Sequence, residues 1–211
     1  MIKMLAIGDS HIPQRAKKIP DQIHIKLNQI TETDKFDYLF CTGDIISSPK
    51  FLSFLKEITK EKLYFVMGNM DYYGGNRDAP ILQQMKISLK ANNNLVIGLI
   101  HGHQISPRGD YSQLETLAIQ NNFNILISGH THKEEITLTE KNILLLNPGS
   151  VTGAWSFLAS RNPSFIVIQI NEITSFIIIT LHQYDIKASK FRALNYSYIF
   201  ENDKIRAKTE Y

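Results

Sequence analysis

The chain has 211 residues, a length that one hydrophobic core can organise, since chains tend to divide into domains beyond roughly 250–300 residues. Hydrophobic residues make up 43% and charged residues 20%, which excludes a disordered chain and matches folded soluble proteins. The net charge of +3 is carried by Lys and Arg interleaved with Asp and Glu, as in KEITKEK at 56–62, a pattern of a solvated surface and not of a nucleic-acid groove.

The first run, MIKMLAI, reads as a buried strand, too short for a secretory h-region, and leads directly into GDSH. Residues 19–31 place Ile23, Leu27 and Ile30 at helical spacing. FDYLFC is a second strand, and its Cys41 is the only cysteine, so an intrachain disulfide is impossible and a buried structural thiol is expected. A helix over 48–59 carries Phe51, Leu52, Leu55 and Ile58, and a third over 111–121 carries Leu114, Leu117 and Ala118. LYFVMGNMD, LVIGLIHGH, ILISGHTH and ILLLNPGS repeat the pattern of a short apolar run ending in polar residues and glycine.

After Asn147 the texture becomes strand-rich, with PSFIVIQI and TSFIIITLHQY nearly continuous in apolar residues. Both faces of these strands want cover, which leaves room for an apolar patch that meets a regulatory partner. Residues 186–200 read as an ordered insertion of uncertain form before a last strand near 204–211. The expectation is one domain over 1–211, with two sheets packed face to face and helices outside them. No apolar run reaches the ~20 residues of a membrane-spanning helix, so direct membrane insertion is not expected and a cytoplasmic location is.

The chemistry gathers where the runs end. In chain order these ends supply Asp9 and His11, Asp44, Asn69, His101, and His130 with His132. Strand alternation would aim the two residues of D-x-H, and of H-x-H, to one side, and a carboxylate such as Asp44 has two oxygens with which to bridge two cations. Each cluster alone is weak, but five of them at successive strand ends point to a metal centre. Imidazole, carboxylate and amide oxygen together suit zinc or manganese.

GDSH, GD, GNMD, HGH and GHTH together resemble the five-block signature of calcineurin-like metallophosphoesterases. The resemblance implies a four-layer α/β/β/α sandwich with two divalent ions, one held by Asp9, His11, Asp44 and His132 and the other by Asp44, Asn69, His101 and His130. GDSHIP, CTGD, GLIHGHQISPRGD, NILISGHTHK, LNPGSVTGAW and NPSFIVIQI resemble more closely one family within that group, the small phosphoesterase-fold subunits of retromer. That likeness implies a scaffold in endosome-to-Golgi protein transport, peripheral on endosomes, whose metal-site loops around 101–107 face the helical-solenoid subunit of retromer.

An enzyme and a scaffold remain open. Bound ions could activate a hydroxide toward a phosphodiester. The family's catalytic histidine follows the Asn of the third block, however, and here Met70 stands there, a side chain that transfers no proton. Asp71 or His103 would have to supply the acid. The alternative roles are a hydrogen-bond acceptor for Asp71 and a hydrogen-bonding neighbour of the metal pocket for His103.

Overall fold

The computed structural model describes residues 1–45, 48–75, 77–90 and 93–208. Among them, seven strands form one sheet. Its first-half members are β1 (Ile2–Ile7), β2 (Phe36–Cys41) and β3 (Thr59–Phe65), and its second-half members are β9 (Ser164–Ile170), β10 (Phe176–Asp185), β11 (Lys190–Glu201) and β12 (Lys204–Ala207). The order is β12-β11-β10-β9-β1-β2-β3, with β1, β2 and β3 parallel and β9 antiparallel to β1. The second sheet has the order β4-β5-β6-β8-β7 and is built from β4 (Leu82–Ser88), β5 (Asn94–Ile100), β6 (Ile125–Ile127), β7 (Glu134–Leu138) and β8 (Leu144–Pro148).

Alternation within the strands sorts the apolar side chains into three clusters. Met4, Ala6 and Phe40 of the first sheet meet Leu95, Ile97, Ile127 and Leu146 of the second in the central core. Leu5, Ile7 and Leu39 point the other way, onto Ile23 and Leu27 of α1 (Asp21–Thr31) and Phe51 and Leu55 of α2 (Pro49–Glu57). On the far side, Ile100, Leu126 and Leu145 cover Leu114 and Ala118 of α4 (Tyr111–Gln120). These are the layers α/β/β/α, as the sequence leads one to expect. Parallel strands in both sheets finish at one end of the sandwich, and the polar clusters follow them there.

Several expectations are corrected. Residues 186–200 are no separate insertion: 190–201 are β11, paired antiparallel along the full length of β10. The last strand ends at Ala207, and residues 209–211 lie outside the described ones. β9 is not open on one face, because Ile166, Ile168 and Ile170 join the central core while Phe165 and Val167 join the helix-side cluster. Its central place in the sheet covers both faces of β9, whereas Ile178 on β10 and Leu194 and Tyr196 on β11 stay exposed. A more exposed run of large apolar residues is Trp155, Phe157 and Leu158.

Cys41 is fully buried, and burial pushes its thiol well above the ordinary range. His182, on β10, stacks on Phe165 with ring centroids 4.9 Å apart, and its Nδ1 has no hydrogen-bond partner. Burial pulls this imidazole down to about 4, from 6.5. Between those values the unfolded chain binds a proton that the folded chain refuses, so stability falls as pH drops through that window. His182→Phe keeps the stack and removes the titration. Urea midpoints at pH 7 and pH 5 should lie closer together in this variant than in the parent chain.

Candidate metal centre

Strand alternation does not aim the candidate ligands, as D-x-H and H-x-H suggested. β1 ends at Ile7 and β6 at Ile127, and the ligands sit in the loops beyond. Asp9, His11, Asp44, His130 and His132 all have φ between +48° and +68°, the left-handed region. Asp and His tolerate that region better than most residues, yet five such residues in one place are held only if the surroundings over-determine them. Backbone bonds do this: Asp9 N–H donates to Gly43 O and His11 N–H to Asp44 O, each at 2.9 Å, and Gly129 N–H to His101 O at 2.9 Å. Close approach adds a second constraint, since a Cβ on Gly68 would stand 2.0 Å from Asp44 Oδ1 and one on Gly129 2.4 Å from Asp9 Oδ2.

Each carboxylate has one oxygen held and one turned inward. Asp9 Oδ2 accepts from His130 N–H at 3.1 Å and from the Thr42 hydroxyl at 3.3 Å. Asp9 Oδ1 is buried with no hydrogen-bond partner, 3.4 Å from His132 Nε2 and 3.8 Å from His11 Nε2. Asp44 Oδ1 accepts from Met70 N–H at 2.8 Å, while Oδ2 lies 3.4 Å from both His11 Nε2 and His101 Nε2.

The histidines are oriented from behind. His132 Nδ1 donates to Ala154 O at 2.8 Å and His101 Nδ1 to Thr42 O at 2.7 Å. Their Nε2 atoms are therefore lone-pair donors in the neutral ring, and they face oxygens that are also acceptors. His101 Nε2 is 3.2 Å from Asn69 Oδ1, and His132 Nε2 is 2.9 Å from His11 Nε2. Acceptors converging on acceptors in a buried space repel one another unless a cation lies between them. Two groups of ligand atoms converge within 4.8 Å of one another: Asp9, His11 and His132, and Asp9, Asp44 and His101. This donor set fits a divalent ion. Asn69 reaches the second group through His101, and the His130 ring sits 5.1 Å from the His101 ring without entering either group.

The electrostatics agree. Burial pulls His101 down, but its bond to Asp44 and the charges of Asp9 and Asp44 outweigh this and raise it to about 9. Burial likewise opposes the charged form of Asp9, yet His132, His101 and His11 hold its carboxyl far below the usual range. Burial is the main cause that lowers His11 and His130 to about 4, with the neighbouring His101 and Arg108 charges adding to it at His130. A site that binds a proton so tightly at His101 is one that prefers a positive charge.

The two residues weighed as acids are placed differently. Asp71 is buried on the short helix α3 (Asn69–Tyr73), and its Oδ2 accepts from Asp44 N–H at 2.7 Å and Gly68 N–H at 2.9 Å, pinning one ligand loop to the next. His103 is exposed, with its ring 5.5 Å from His101 and 6.3 Å from His130.

Sequence reasoning named the candidate ligands but gave no role to the residues that hold them. Ser150 Oγ donates to Asp9 O at 2.7 Å and accepts from Ala154 N–H at 2.9 Å, so one hydroxyl supports both the Asp9 backbone and the carbonyl that orients His132. Thr152 Oγ1 donates to Ser10 O at 3.0 Å, and Asn147 Nδ2 bonds Gly129 O at 2.9 Å. The signal was the NPGS-x-TGA run, singled out for resemblance alone. Ser150→Ala should cost about 1–3 kcal/mol in urea unfolding, as loss of a buried bonded hydroxyl does. It should also weaken zinc binding by roughly 10–100-fold in calorimetry, the usual effect of removing a group that orients a ligand.

The profile of the calcineurin-like phosphoesterase superfamily domain matches residues 2–172. A probable metallophosphoesterase of Methanothermobacter thermautotrophicus is 33% identical over 165 residues, 78% of this chain and 84% of that protein. Wild-type Vps29 from Entamoeba histolytica, solved with zinc, superposes with a TM-score of 0.76 and 32% identity, covering 92% of this chain and 99% of that one. Vacuolar protein sorting 29 from Cryptosporidium parvum gives a TM-score of 0.79 and 30% identity over 94% and 98%. With its loops, carboxylates and imidazoles arranged as described, the chain belongs to the calcineurin-like phosphoesterase superfamily and is Vps29-like in structure.

Proposed function

We propose that the chain holds two divalent ions, zinc or manganese, through Asp9, His11, Asp44, Asn69, His101, His130 and His132, and serves as a scaffold subunit of retromer with little or no phosphoester turnover. The observation that carries the metal reading is the orphaned Asp9 Oδ1 facing His132 Nε2, whose ring already commits its Nδ1 to the Ala154 carbonyl. The retromer reading is supported by the likeness to Vps29 along nearly the whole chain.

Bound ions would polarise a phosphate ester and supply a hydroxide nucleophile. What this chain offers to the leaving oxygen is weaker. Met70 occupies the histidine position and gives only its backbone N–H, to Asp44. Asp71 is engaged by two backbone donors. Burial, then the His101 charge, lowers the pKa of His103 and disfavours the protonated ring that an acid needs.

As a scaffold, the chain would present the loop around 101–107 and the exposed Trp155, Phe157 and Leu158 to the helical-solenoid subunit, and the complex would bring it to endosomes from the cytoplasm. Among the described residues no helix is long and apolar enough to cross a membrane. The second reading, an active two-metal phosphodiesterase, is favoured by the presence of both carboxylates and Asn69 in one cluster.

Hydrolysis of bis-p-nitrophenyl phosphate with manganese, paired with capture of the solenoid subunit, separates the two. A scaffold shows near-background turnover and firm capture, and Met70→His raises turnover by about tenfold or more, because a positioned acid supplies roughly 10²–10⁴-fold. Ready turnover that Asp9→Asn abolishes, without capture, would select the enzyme.

A further inference from the structure

A cavity of about 240 Å³ lies beside the histidine cluster, between the 102–111 segment, α4 and the loop at 128–133. None of the seven proposed ligands lines it, although Gly129 and Thr131, which alternate with His130 and His132, form part of its wall. Ile105, Leu114, Leu145, Leu146 and Leu158 supply its apolar surface. A cavity of ~150 Å³ walled by aliphatic side chains suffices for a benzene ring, so this one accommodates a ring and a short substituent.

Most of the polar side chains in the wall are paired with one another or with neighbours. Asn147 Nδ2 bonds Gly129 O and Thr131 Oγ1, and Asn147 Oδ1 accepts from Gly149 N–H. Glu135 is occupied by Tyr111, Thr137 and Lys133, whose Nζ stands 3.3 Å away. Water in the cavity therefore finds few unmet partners, which favours an apolar occupant. Ser128, whose hydroxyl makes no hydrogen bond among the described residues, and Arg108 are the exceptions, and of the two only Arg108 carries a charge. It lies near enough to depress the pKa of His130, and no ion pair links it to a carboxylate among the described residues.

We propose that this cavity is a binding site for a small organic anion: an aromatic or branched apolar body seated against Leu114, Leu145 and Leu158, with its carboxylate on the Arg108 guanidinium. One unpaired cation in the wall, beside a cluster of aliphatic side chains and polar groups that are mostly paired, specifies that combination. The site is separate from the metal centre, and the inference stands whether or not metal binds.

The test is an amide NMR titration of the zinc-loaded full chain with phenylacetate, benzyl alcohol and acetate. Phenylacetate should shift Leu114, Leu145 and Leu158. Benzyl alcohol should bind there about fivefold more weakly, the scale of one charge-assisted hydrogen bond at a solvated rim. Acetate, which lacks the ring, should leave those resonances unmoved. Arg108→Gln should bring phenylacetate down to the level of benzyl alcohol without moving the urea midpoint, and Leu114→Phe, which fills the cavity, should remove both. If Leu114→Phe does not fold, Arg108→Gln decides alone. Shifts confined to the histidine cluster, phenylacetate binding indifferent to Arg108→Gln, or binding of partner peptides with no response to any of the three small probes would overturn the proposal.

Discussion

Asp44→Asn is expected to weaken both metal sites together, by about a hundredfold or more, while the protein stays folded. Asn is the informative substitution because Asp44 has φ of +51°, where Ala would be strained and Asn is tolerated. Asn also keeps an oxygen for Met70 N–H, which donates to Oδ1 at 2.8 Å. What it removes is the charge on Oδ2, the atom 3.4 Å from both His11 Nε2 and His101 Nε2. Removing a group that merely orients a ligand costs roughly 10–100-fold in metal affinity, so loss of a carboxylate shared by two ions should exceed that. Zinc calorimetry reads the result. Unchanged affinity at both sites would mean that Asp44 is no bridge, and loss at one site alone would assign it to a single ion.

Chelation should lower the melting temperature and weaken the solenoid contact together. Ligand at a hundredfold excess over Kd stabilises the native state by about 2.7 kcal/mol. For a chain of this size that is about 5–10 °C. The effect should also grow with pH. In the metal-free protein His101 is raised to about 9 from 6.5, so its contribution to stability is complete below pH 6.5 and lost as pH rises through 9. An ion replaces that proton, and its affinity rises over the same interval as the proton is given up. Melting curves with and without chelator at pH 6.5 and 8.5 should therefore diverge at the higher pH. If metal raises the melting temperature without changing partner affinity, the ions order the loops and do not couple to assembly. If neither quantity responds, the loops are held by packing alone.

Strands with a continuous apolar run were the most legible, although β3 and β12, the edges of the seven-stranded sheet, were also read. β1, β2, β5, β6, β8 and β9 are buried enough to read as continuous apolar runs, and the helices α1, α2 and α4 showed their stripes. β4 and β7 were missed because they are the edges of the five-stranded sheet: LQQMKIS buries only two of seven residues, and EEITL is half-buried throughout. The hairpin strand β11 was hidden for a similar reason, since its middle, from Arg192 to Tyr196, is exposed and only Tyr198 and Phe200 on it are buried.

At the site, the candidate ligands were legible from residue type at strand ends, which composition and order reveal. The left-handed backbone was not, because positive φ at Asp or His leaves no periodic trace. The shared work of Thr42, Asn147 and Ser150 was hidden as well, since it depends on contacts such as Ser150 to Asp9, 141 residues apart. The cavity by Arg108 arises from segments that meet only once the second sheet is assembled, and no local pattern announces it.

The central claim is a two-ion centre built from these loops. Anomalous diffraction from crystals of the full chain grown with zinc tests it most directly. Two peaks are expected, one among Asp9, His11, His132 and Asp44, the other among Asp44, Asn69, His101 and His130. A single peak, or peaks only at exposed surface residues, would contradict it.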